Sequence, residues 1–153
     1  MLYPASRDKA SRVVLEVQYE SDLYRSTVNI RRVVLRVPLG IDFTPKDLSD
    51  DRTNHHFVAI VDQCEVGALV LVPEEDGWCK IRQVAVLPEY QGTGVGTALM
   101  NAAHNCARRL GRSYAHLHAR ISAVAFYRKL GYLERGETFM EVDIIHQDMW
   151  IQL

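Results

Sequence analysis

The sequence predicts a mixed α/β domain, and three features carry that prediction. The first is a run of three strands, 57–61, 66–72 and 78–87, joined by short polar turns as in an antiparallel meander. The second is a glycine-rich turn at 91–96 that opens an amphipathic helix. The third is a strand at 114–119 in which apolar and polar residues alternate. Strands and helices therefore follow one another without a linker that would divide the chain.

Elements on the amino-terminal side are less regular. A strand is predicted at 13–17, and a helix should run from Ser21 or Asp22 to Val37, where a proline and a glycine follow. The polar segment 42–54 is expected to be a mobile loop near a substrate, because such loops often carry binding residues, or else only a solvated connector. The neighbouring His55-His56 pair is interpreted as structural.

The helix that follows the glycine-rich turn is predicted to pack on the sheet. Its apolar residues recur from Val95 to Leu110 at the spacing of one helix face. Arg108 and Arg109 lie in the last turn, where cations are favourable, and Gly111 can adopt the left-handed cap conformation. The start of this helix is therefore free to bind a ligand.

The turn itself has the composition of a phosphate-binding loop. Gly92, Gly94 and Gly96 alternate, so that successive backbone N–H groups can point at one anion in front of the positive end of the helix dipole. A Walker loop is excluded because Thr97 follows where lysine is required, and the acidic residue of a dinucleotide fingerprint is also missing.

Two motifs in this chain resemble those of one enzyme family. The pattern Gln91-x-x-Gly94-x-Gly96 resembles the Gln/Arg-x-x-Gly-x-Gly/Ala signature of the GNAT family of N-acetyltransferases. The segment from Arg120 through Ala123 and Phe126-Tyr127 to Leu130-Gly131-Tyr132 is similar to the family's second signature, a short helix with Phe-Tyr that ends in Leu-Gly-Phe/Tyr. The order and spacing of the two motifs make a chance agreement improbable.

The carboxy-terminal part resembles the strand pair of the ElaA-like branch of that family. The similar segment runs from Gly136 to Met149, with Asp143 and Ile145 at positions where that branch usually has glycine and proline. The resemblance as a whole covers residues 11–153 and is strongest from residue 80 onward. It implies that 1–153 is a single N-acetyltransferase domain.

The resemblance also implies a fold. This fold is the α/β (α+β) acyl-CoA N-acyltransferase architecture, with a central, mostly antiparallel mixed sheet of about seven strands. In the family the sheet is splayed between strands four and five, and helices cover both faces.

Acetyl-coenzyme A is the acyl donor that the resemblance implies, and a primary amine of a small molecule or protein is the acceptor. The amine would attack the thioester directly. In the family the glycine-rich loop holds the pyrophosphate, and strand four binds the pantetheine arm and the thioester oxygen. The coenzyme-binding residues implied here are Val84, Ala85, Val86, Gln91, Gly92, Thr93, Gly94, Val95, Gly96, Thr97, Arg120, Ala123, Phe126 and Tyr127.

Acyl transfer also requires proton transfers, and their candidates follow from the same resemblance. Tyr127 is the candidate general acid for the leaving thiolate, since a phenol with an ordinary pKa of about 10 is protonated at neutral pH. The glutamate that many family members carry on strand four is missing from 80–83. Glu141, His146 and His118, together with His116 or a bound water, remain candidates for the base that accepts the amine proton.

Two other functions stay open. His116, His118, His146 and Glu141 could form a metal site, although the two motifs require no metal and none is expected. Alternatively, the missing glutamate would suit a coenzyme A-binding sensor or interaction module without turnover. Metal analysis and thiol release with a panel of amines separate these alternatives.

Bulk composition narrows the setting. With 18 basic and 19 acidic residues the net charge is −1, so we expect neither a nucleic acid nor a membrane as partner. No apolar run reaches the roughly 18 residues of a membrane span, and a cytoplasmic location is expected. The three cysteines have no metal-type spacing and are expected to pack as small buried groups. A homodimer is compatible with a domain of this size.

Overall fold

The computed structural model describes residues 11–153, whose centre is a seven-stranded sheet. Its strands are β1 (Arg12–Val17), β2 (His55–Val61), β3 (Cys64–Pro73), β4 (Trp78–Val86), β5 (Tyr114–Arg120), β6 (Leu133–Glu141) and β7 (Ile144–Gln152). The helices are α1 (Asp22–Arg31), α2 (Pro45–Asp50), α3 (Val95–Arg109) and α4 (Val124–Lys129).

The strands are ordered β1-β2-β3-β4-β5-β7-β6 across the sheet. β4 and β5 are parallel, whereas the other neighbouring pairs are antiparallel. The mixed sheet of seven strands that the resemblance implied is thereby confirmed. Because β7 lies between β5 and β6, the carboxy-terminal hairpin adjoins β5, the strand that carries His116 and His118, through β7.

Helices cover both faces of the sheet. On one face α3 buries Leu99, Met100 and Ala103 in the main core, which agrees with the apolar stripe in the sequence. Gly67 lies beneath this helix, and a Cβ there would come within 2.9 Å of Leu99 Cδ1. On the other face Ile30 of α1 packs in a smaller apolar cluster on β3 and β4. On this face of the sheet, α1 does not cover β5, β7 and β6. That part of the face is therefore open for a site.

The segment 42–54 is not a loop throughout, although its polar composition predicted one. It contains α2, which begins after Thr44 with Pro45 in its first turn. The Thr44 hydroxyl accepts from the Asp47 N–H, while the Asp47 carboxylate accepts from the Thr44 N–H. This capping box satisfies two backbone donors at the helix start, so a short helix forms despite the few apolar residues.

The first helix also differs from its prediction. α1 ends at Arg31 rather than near Val37, and a π-helical turn follows at Arg32–Arg36 and a 3-10 turn at Val37–Leu39. Gly40 then closes the segment with a φ of 70°. A π turn widens the helix and is often found next to functional sites.

Two expectations about surface and burial are also tested. Cys79 and Cys106 are buried as expected, but Cys64 is exposed because it lies at the tip of the β2–β3 hairpin, next to Gln63. Among the described residues, no helix is long and apolar enough to cross a membrane.

A buried histidine should make the fold sensitive to acid. His104 of α3 lies with its Nε2 2.7 Å from the Tyr132 hydroxyl, and burial, aided by the charge of Arg108, lowers its pKa to about 4. An unfolded histidine titrates near pH 6.5, so the unfolded chain takes up this proton first. Stability is therefore complete above about pH 6.5 and is lost as the pH falls towards 4, by about 2–3 kcal/mol at pH 4.5.

Urea unfolding at pH 7 and pH 4.5 measures this loss. The control is His104→Gln, whose amide can still bond the Tyr132 hydroxyl but does not titrate. Its stability should fall less between the two pH values than that of the wild type. Equal losses in both proteins would show that His104 does not contribute.

Candidate functional site

A gap in the sheet defines the candidate site. β4 and β5 pair only from Trp78 to Lys80, opposite Tyr114 to His116, and then diverge. Beyond that point the edge of β4 that faces β5 has no strand partner, although its other edge stays paired with β3 as far as Val86. The predicted splay between strands four and five is thus confirmed, and it leaves backbone donors and acceptors free along one side of β4.

The glycine-rich loop lies next to the gap, at the start of α3. Gly94 is the residue before the helix and has a φ of 91°, while Gly92 has a φ of 75°. Within the described part of the chain, the N–H groups from Gly92 to Thr97 donate to no acceptor outside the helix. An anion in front of a 15-residue helix would satisfy such donors and gain from the helix dipole.

Neighbouring side chains fix the shape of this loop. The Gln91 Nε2 donates to the Val86 carbonyl over 2.9 Å and ties the loop to the end of β4. The Arg12 Nη1 donates to the Thr93 carbonyl over 3.0 Å. Its guanidinium therefore lies beside the anion position, where no sequence pattern had placed it. Gly96 is needed for a different contact, because a Cβ there would lie 3.1 Å from the Phe126 ring.

Tyr127 belongs to α4 and lies near the gap between β4 and β5. Its ring is only 8% exposed and stands 5.0 Å from the ring of Phe126 and 5.9 Å from that of Tyr132, centre to centre. Burial raises the pKa of Tyr127 far above that of a free phenol, so the hydroxyl keeps its proton. This hydroxyl donates to no described residue, and the side chain contributes to the wall of the cleft described next.

A cleft of about 280 Å³ opens from the gap towards the uncovered face of the sheet. Its walls come from the π turn after α1, from β4 and β5, and from the turn between β6 and β7. The lining residues are Leu35, Arg36, Lys80, Ile81, Arg82, Gln83, Val84, Leu117, His118, Arg120, Ala123, Tyr127, Glu141, Val142 and His146.

Two histidines flank one carboxylate in this cleft. The His118 Nδ1 lies 3.1 Å from Glu141 Oε1, and the His146 Nε2 lies 3.7 Å from Glu141 Oε2. Burial alone would raise the pKa of Glu141, but the hydrogen bond from His118 and the charges of His118, His146 and Lys80 outweigh it and hold this pKa below its ordinary value. The carboxylate is therefore ionised and can orient His118.

His116 belongs to a different group of side chains. Its Nε2 bonds Glu74, and its Nδ1 lies 3.8 Å from Asp148 Oδ1. The His116 Nδ1 and the Asp148 Oδ1 are both buried without a hydrogen-bond partner. Ligand atoms of His116, His118 and Asp148 lie within 4.8 Å of one another, which is not the set that the sequence suggested for a metal. Asp148 also pairs with Arg135 over 2.7 Å, so charged neighbours already account for its position.

A buried network supports the β4 wall from behind. Gln83 stands at a bulge of β4 with a φ of 51°, and its Oε1 accepts from the Arg31 Nε over 2.5 Å. Arg31 in turn pairs with Asp51 over 2.9 Å, and the Tyr24 hydroxyl donates to the same carboxylate over 2.6 Å. Bulges are common next to active sites, and this one lies in the part of β4 that no longer pairs with β5.

Comparison with known families decides the class of protein. Residues 52–134, more than half of the chain, match the family model described as the acetyltransferase (GNAT) domain. The chain belongs to the GNAT acetyltransferase family. Both motifs and the splayed strands lie within or beside the matched GNAT region.

Two Bacillus subtilis proteins are related in sequence. The uncharacterized N-acetyltransferase YjcF is 36% identical over 76 residues, which are 49% of this chain and 54% of YjcF. A protein provisionally named acetyltransferase BSU40680 is 28% identical over 138 residues, or 87% of this chain and 91% of that protein. The chain thus matches about half the length of one relative and most of the other.

Solved structures share the GNAT fold. An acyl-CoA N-acyltransferase from Pseudomonas aeruginosa has a TM-score of 0.77 at 23% identity, over 92% of this chain and 99% of that one. Escherichia coli ElaA has a TM-score of 0.76 at 19% identity, over 92% and 99%. A GNAT acetyltransferase from Elizabethkingia anophelis with acetyl-CoA bound has 0.71 at 15%, over 95% and 100%. At these identities the likeness concerns the fold alone.

The structure brings most of the sequence-predicted residues to one place. The predicted coenzyme residues lie on β4, on the loop and start of α3, and on the α4 motif, along both sides of the GNAT splay. Tyr127, His118, Glu141 and His146 all line the same cleft. Arg12, Arg36 and Arg82 were missed, because they come from separate elements and belong to no motif.

Proposed function

We propose that this protein transfers the acetyl group of acetyl-coenzyme A to a primary amine by direct attack on the thioester. The observation that supports this best is the opening between β4 and β5, which has the glycine-rich loop at one side and a polar cleft at the other. The coenzyme would enter from the loop, and the acceptor would enter from the cleft. We propose that a single cytoplasmic domain carries the whole site and that it uses no metal.

The coenzyme would be held mainly by backbone groups. The N–H groups from Gly92 to Thr97 would bind the pyrophosphate, with Arg12 adding a charge at the same side. The free edge of β4 from Val84 to Val86 would bond the pantetheine amides as a neighbouring strand would. One N–H of this edge would also stabilise the oxyanion that forms when the amine attacks.

Proton transfer at the amine would use His118. When the Nδ1–H of His118 donates to Glu141, the Nε2 keeps its lone pair and can accept the amine proton. Glu141 would thus be a positioning residue that fixes the tautomer, and His146 would help to keep it ionised. This arrangement would replace the strand-four glutamate that the chain lacks. His118 as base and Tyr127 as proton donor would support turnover, which favours the enzyme over a sensor without turnover.

Thermal unfolding with and without acetyl-coenzyme A tests the cofactor without knowledge of the acceptor. A ligand at about 100 times its dissociation constant adds about 2.7 kcal/mol, which is roughly 5–10 °C for a domain of this size. ATP and NAD are the control ligands and should cause no such shift. No shift with millimolar acetyl-coenzyme A would overturn the proposed function.

Gly94→Ala locates the coenzyme at the loop. The added Cβ would lie 2.7 Å from the Arg12 Nη1, at a residue whose φ of 91° suits glycine, and it would obstruct the pyrophosphate. We expect the affinity for acetyl-coenzyme A, measured by calorimetry, to fall about tenfold or more, since tenfold corresponds to only about 1.4 kcal/mol.

The matched control is Gly111→Ala, at the other end of α3. Gly111 has a φ of 76°, so this variant bears a similar backbone strain, but a Cβ there meets nothing within 4 Å. Its affinity for acetyl-coenzyme A should equal that of the wild type. If the two variants bind equally well, the glycine-rich loop is not the pyrophosphate site.

A further inference from the structure

The cleft wall carries four cationic side chains. They come from three elements: Arg36 from the π turn, Lys80 and Arg82 from β4, and Arg120 from the end of β5. Within residues 11–153, none of the four forms an ion pair or a side-chain hydrogen bond. Other arginines of the protein, such as Arg31 and Arg135, do have a carboxylate partner.

These cations repel one another. Burial, with the charges of Arg31, Arg120 and Arg82, lowers the pKa of Arg36, although Asp47 acts in the opposite direction. Burial and Arg82 likewise lower the pKa of Lys80, although Glu141, Glu74 and Asp148 act in the opposite direction. Arg36, Lys80 and Arg120 are half-buried, whereas Arg82 is exposed. Like charges that are partly removed from water cost free energy unless an anion neutralises them.

Carboxylates in and near the cleft offset this charge only in part. Glu141 lines the cleft but is engaged by His118 and His146. Asp47 is held at the start of α2 by Thr44, which donates through its N–H. Asp148 and Glu74 are paired with Arg135 and His116, respectively. None of these carboxylates forms an ion pair with Arg36, Arg82 or Arg120, so these three arginines can bind an anionic ligand.

Arg36 is also held in place before any ligand arrives. Its guanidinium lies 4.9 Å from the centre of the Phe43 ring, and Phe43 makes the same contact with Arg31. Stacking on an aromatic ring restrains the long side chain, so less conformational entropy is lost when an anion binds. A planar guanidinium can then bind a carboxylate or a phosphate with two hydrogen bonds.

We propose that the acceptor is a small amine that also carries a carboxylate or phosphate group, and that Arg36, Arg82 and Arg120 bind this group. The inference rests on the proposed acetyl transfer and names the class of its acceptor. A cleft of about 280 Å³ is at the small end of ligand pockets, which favours a small molecule over a protein chain. Polycationic acceptors, such as polyamines and aminoglycosides, are disfavoured by the same charges. The positive wall also favours the neutral, nucleophilic form of the bound amine.

Pairs of amines that differ only in the anionic group test this proposal. Propylamine is compared with β-alanine, and ethanolamine with phosphoethanolamine, by release of free coenzyme A thiol. We expect at least a tenfold higher kcat/KM for the anionic member of the preferred pair. Arg36→Gln should reduce this preference, and Arg36→Glu should shift it towards a diamine such as cadaverine.

The control variant is Arg32→Gln. Arg32 lies in the same π turn but pairs with Asp42 over 2.7 Å and does not line the cleft, so its removal should leave the preference unchanged. A preference for the neutral member of each pair, or an anionic preference that survives in Arg36→Gln and Arg36→Glu, overturns the proposal.

A binding measurement covers the case in which none of these amines reacts. With coenzyme A saturating the loop, inorganic phosphate is titrated against sodium chloride of equal ionic strength, and the unfolding temperature is followed. Phosphate should stabilise the wild type, and the Arg36→Gln/Arg82→Gln double variant should lose this stabilisation. Equal behaviour of the two proteins overturns the anion site. Failure of acetyl-coenzyme A to stabilise the wild type overturns the proposed transfer instead, so the two failures can be told apart.

Discussion

Tyr127→Phe is expected to lower kcat by about a hundredfold or more, since a positioned general acid typically contributes about 10²–10⁴-fold. The phenol is held below the gap between β4 and β5, and its raised pKa means that it arrives at the reaction with its proton. A departing thiolate has a moderately basic sulfur, and an ordinary thiol has a pKa of about 8.5. A hydrogen bond from the Tyr127 hydroxyl to the sulfur, with proton transfer as the C–S bond breaks, would stabilise the charge that develops there and favour the collapse of the tetrahedral intermediate to products.

The affinity for acetyl-coenzyme A should change little in this variant. Phenylalanine keeps the ring contacts with Phe126 and Tyr132, and only the hydroxyl is removed. The measurement is kcat with an acceptor found in the amine panel, together with calorimetric binding of acetyl-coenzyme A. A large loss of kcat at constant affinity identifies an interaction made only in the transition state.

Tyr132→Phe is the matched control for the loss of a buried hydroxyl. Tyr132 belongs to the same aromatic cluster, but its hydroxyl bonds His104 in the core and does not line the cleft. This variant should be less stable and should keep its kcat. If Tyr127→Phe retains full turnover, the general acid is another group or water.

The motif segments were predictable because their local chemistry dictates their shape. Alternating glycines permit a tight turn and an apolar stripe favours an amphipathic helix, and Gly94 and α3 show both. The alternation in β5 placed His116 and His118 on one face, which the structure confirms. Glu141 was already among the candidates that the sequence grouped with these histidines, and it does lie beside His118. Glu74 and Asp148, the partners of His116, were not predicted, because strand order rather than spacing brings them to it.

The cationic wall of the cleft could not be predicted from the sequence. Arg36, Arg82 and Arg120 are far apart in the chain, and a net charge of −1 gave no sign of a local positive field. Arg36 reaches the cleft only because α1 changes into a π turn, which no periodicity predicts. A signal for α2 did exist, since Thr44-Pro45 followed by Asp47 is a capping box with proline in the first turn. The polar composition of that segment concealed it.

Asp51→Ala is expected to destabilise the protein by about 3–5 kcal/mol, the range for a buried ion pair that loses one partner. The Arg31 side chain is 1% exposed and Asp51 is 6% exposed, so the guanidinium would remain buried without its carboxylate. The Tyr24 hydroxyl would lose its acceptor at the same time. Urea unfolding at pH 7 measures the change, which corresponds to a drop in unfolding temperature on the order of 10 °C.

The neighbouring residue provides the control. Asp50 also forms an ion pair, with Lys46, but these side chains are 60% and 81% exposed. Asp50→Ala should therefore cost no more than about 1 kcal/mol. Asp51→Asn should fall between the two, because its amide oxygen can still accept from Tyr24 while the charge that balances Arg31 is gone. Since Arg31 also holds Gln83 at the bulge of β4, Asp51→Asn should weaken acetyl-coenzyme A binding as well. Equal costs for Asp50→Ala and Asp51→Ala would show that the buried network does not support the strand beside the gap.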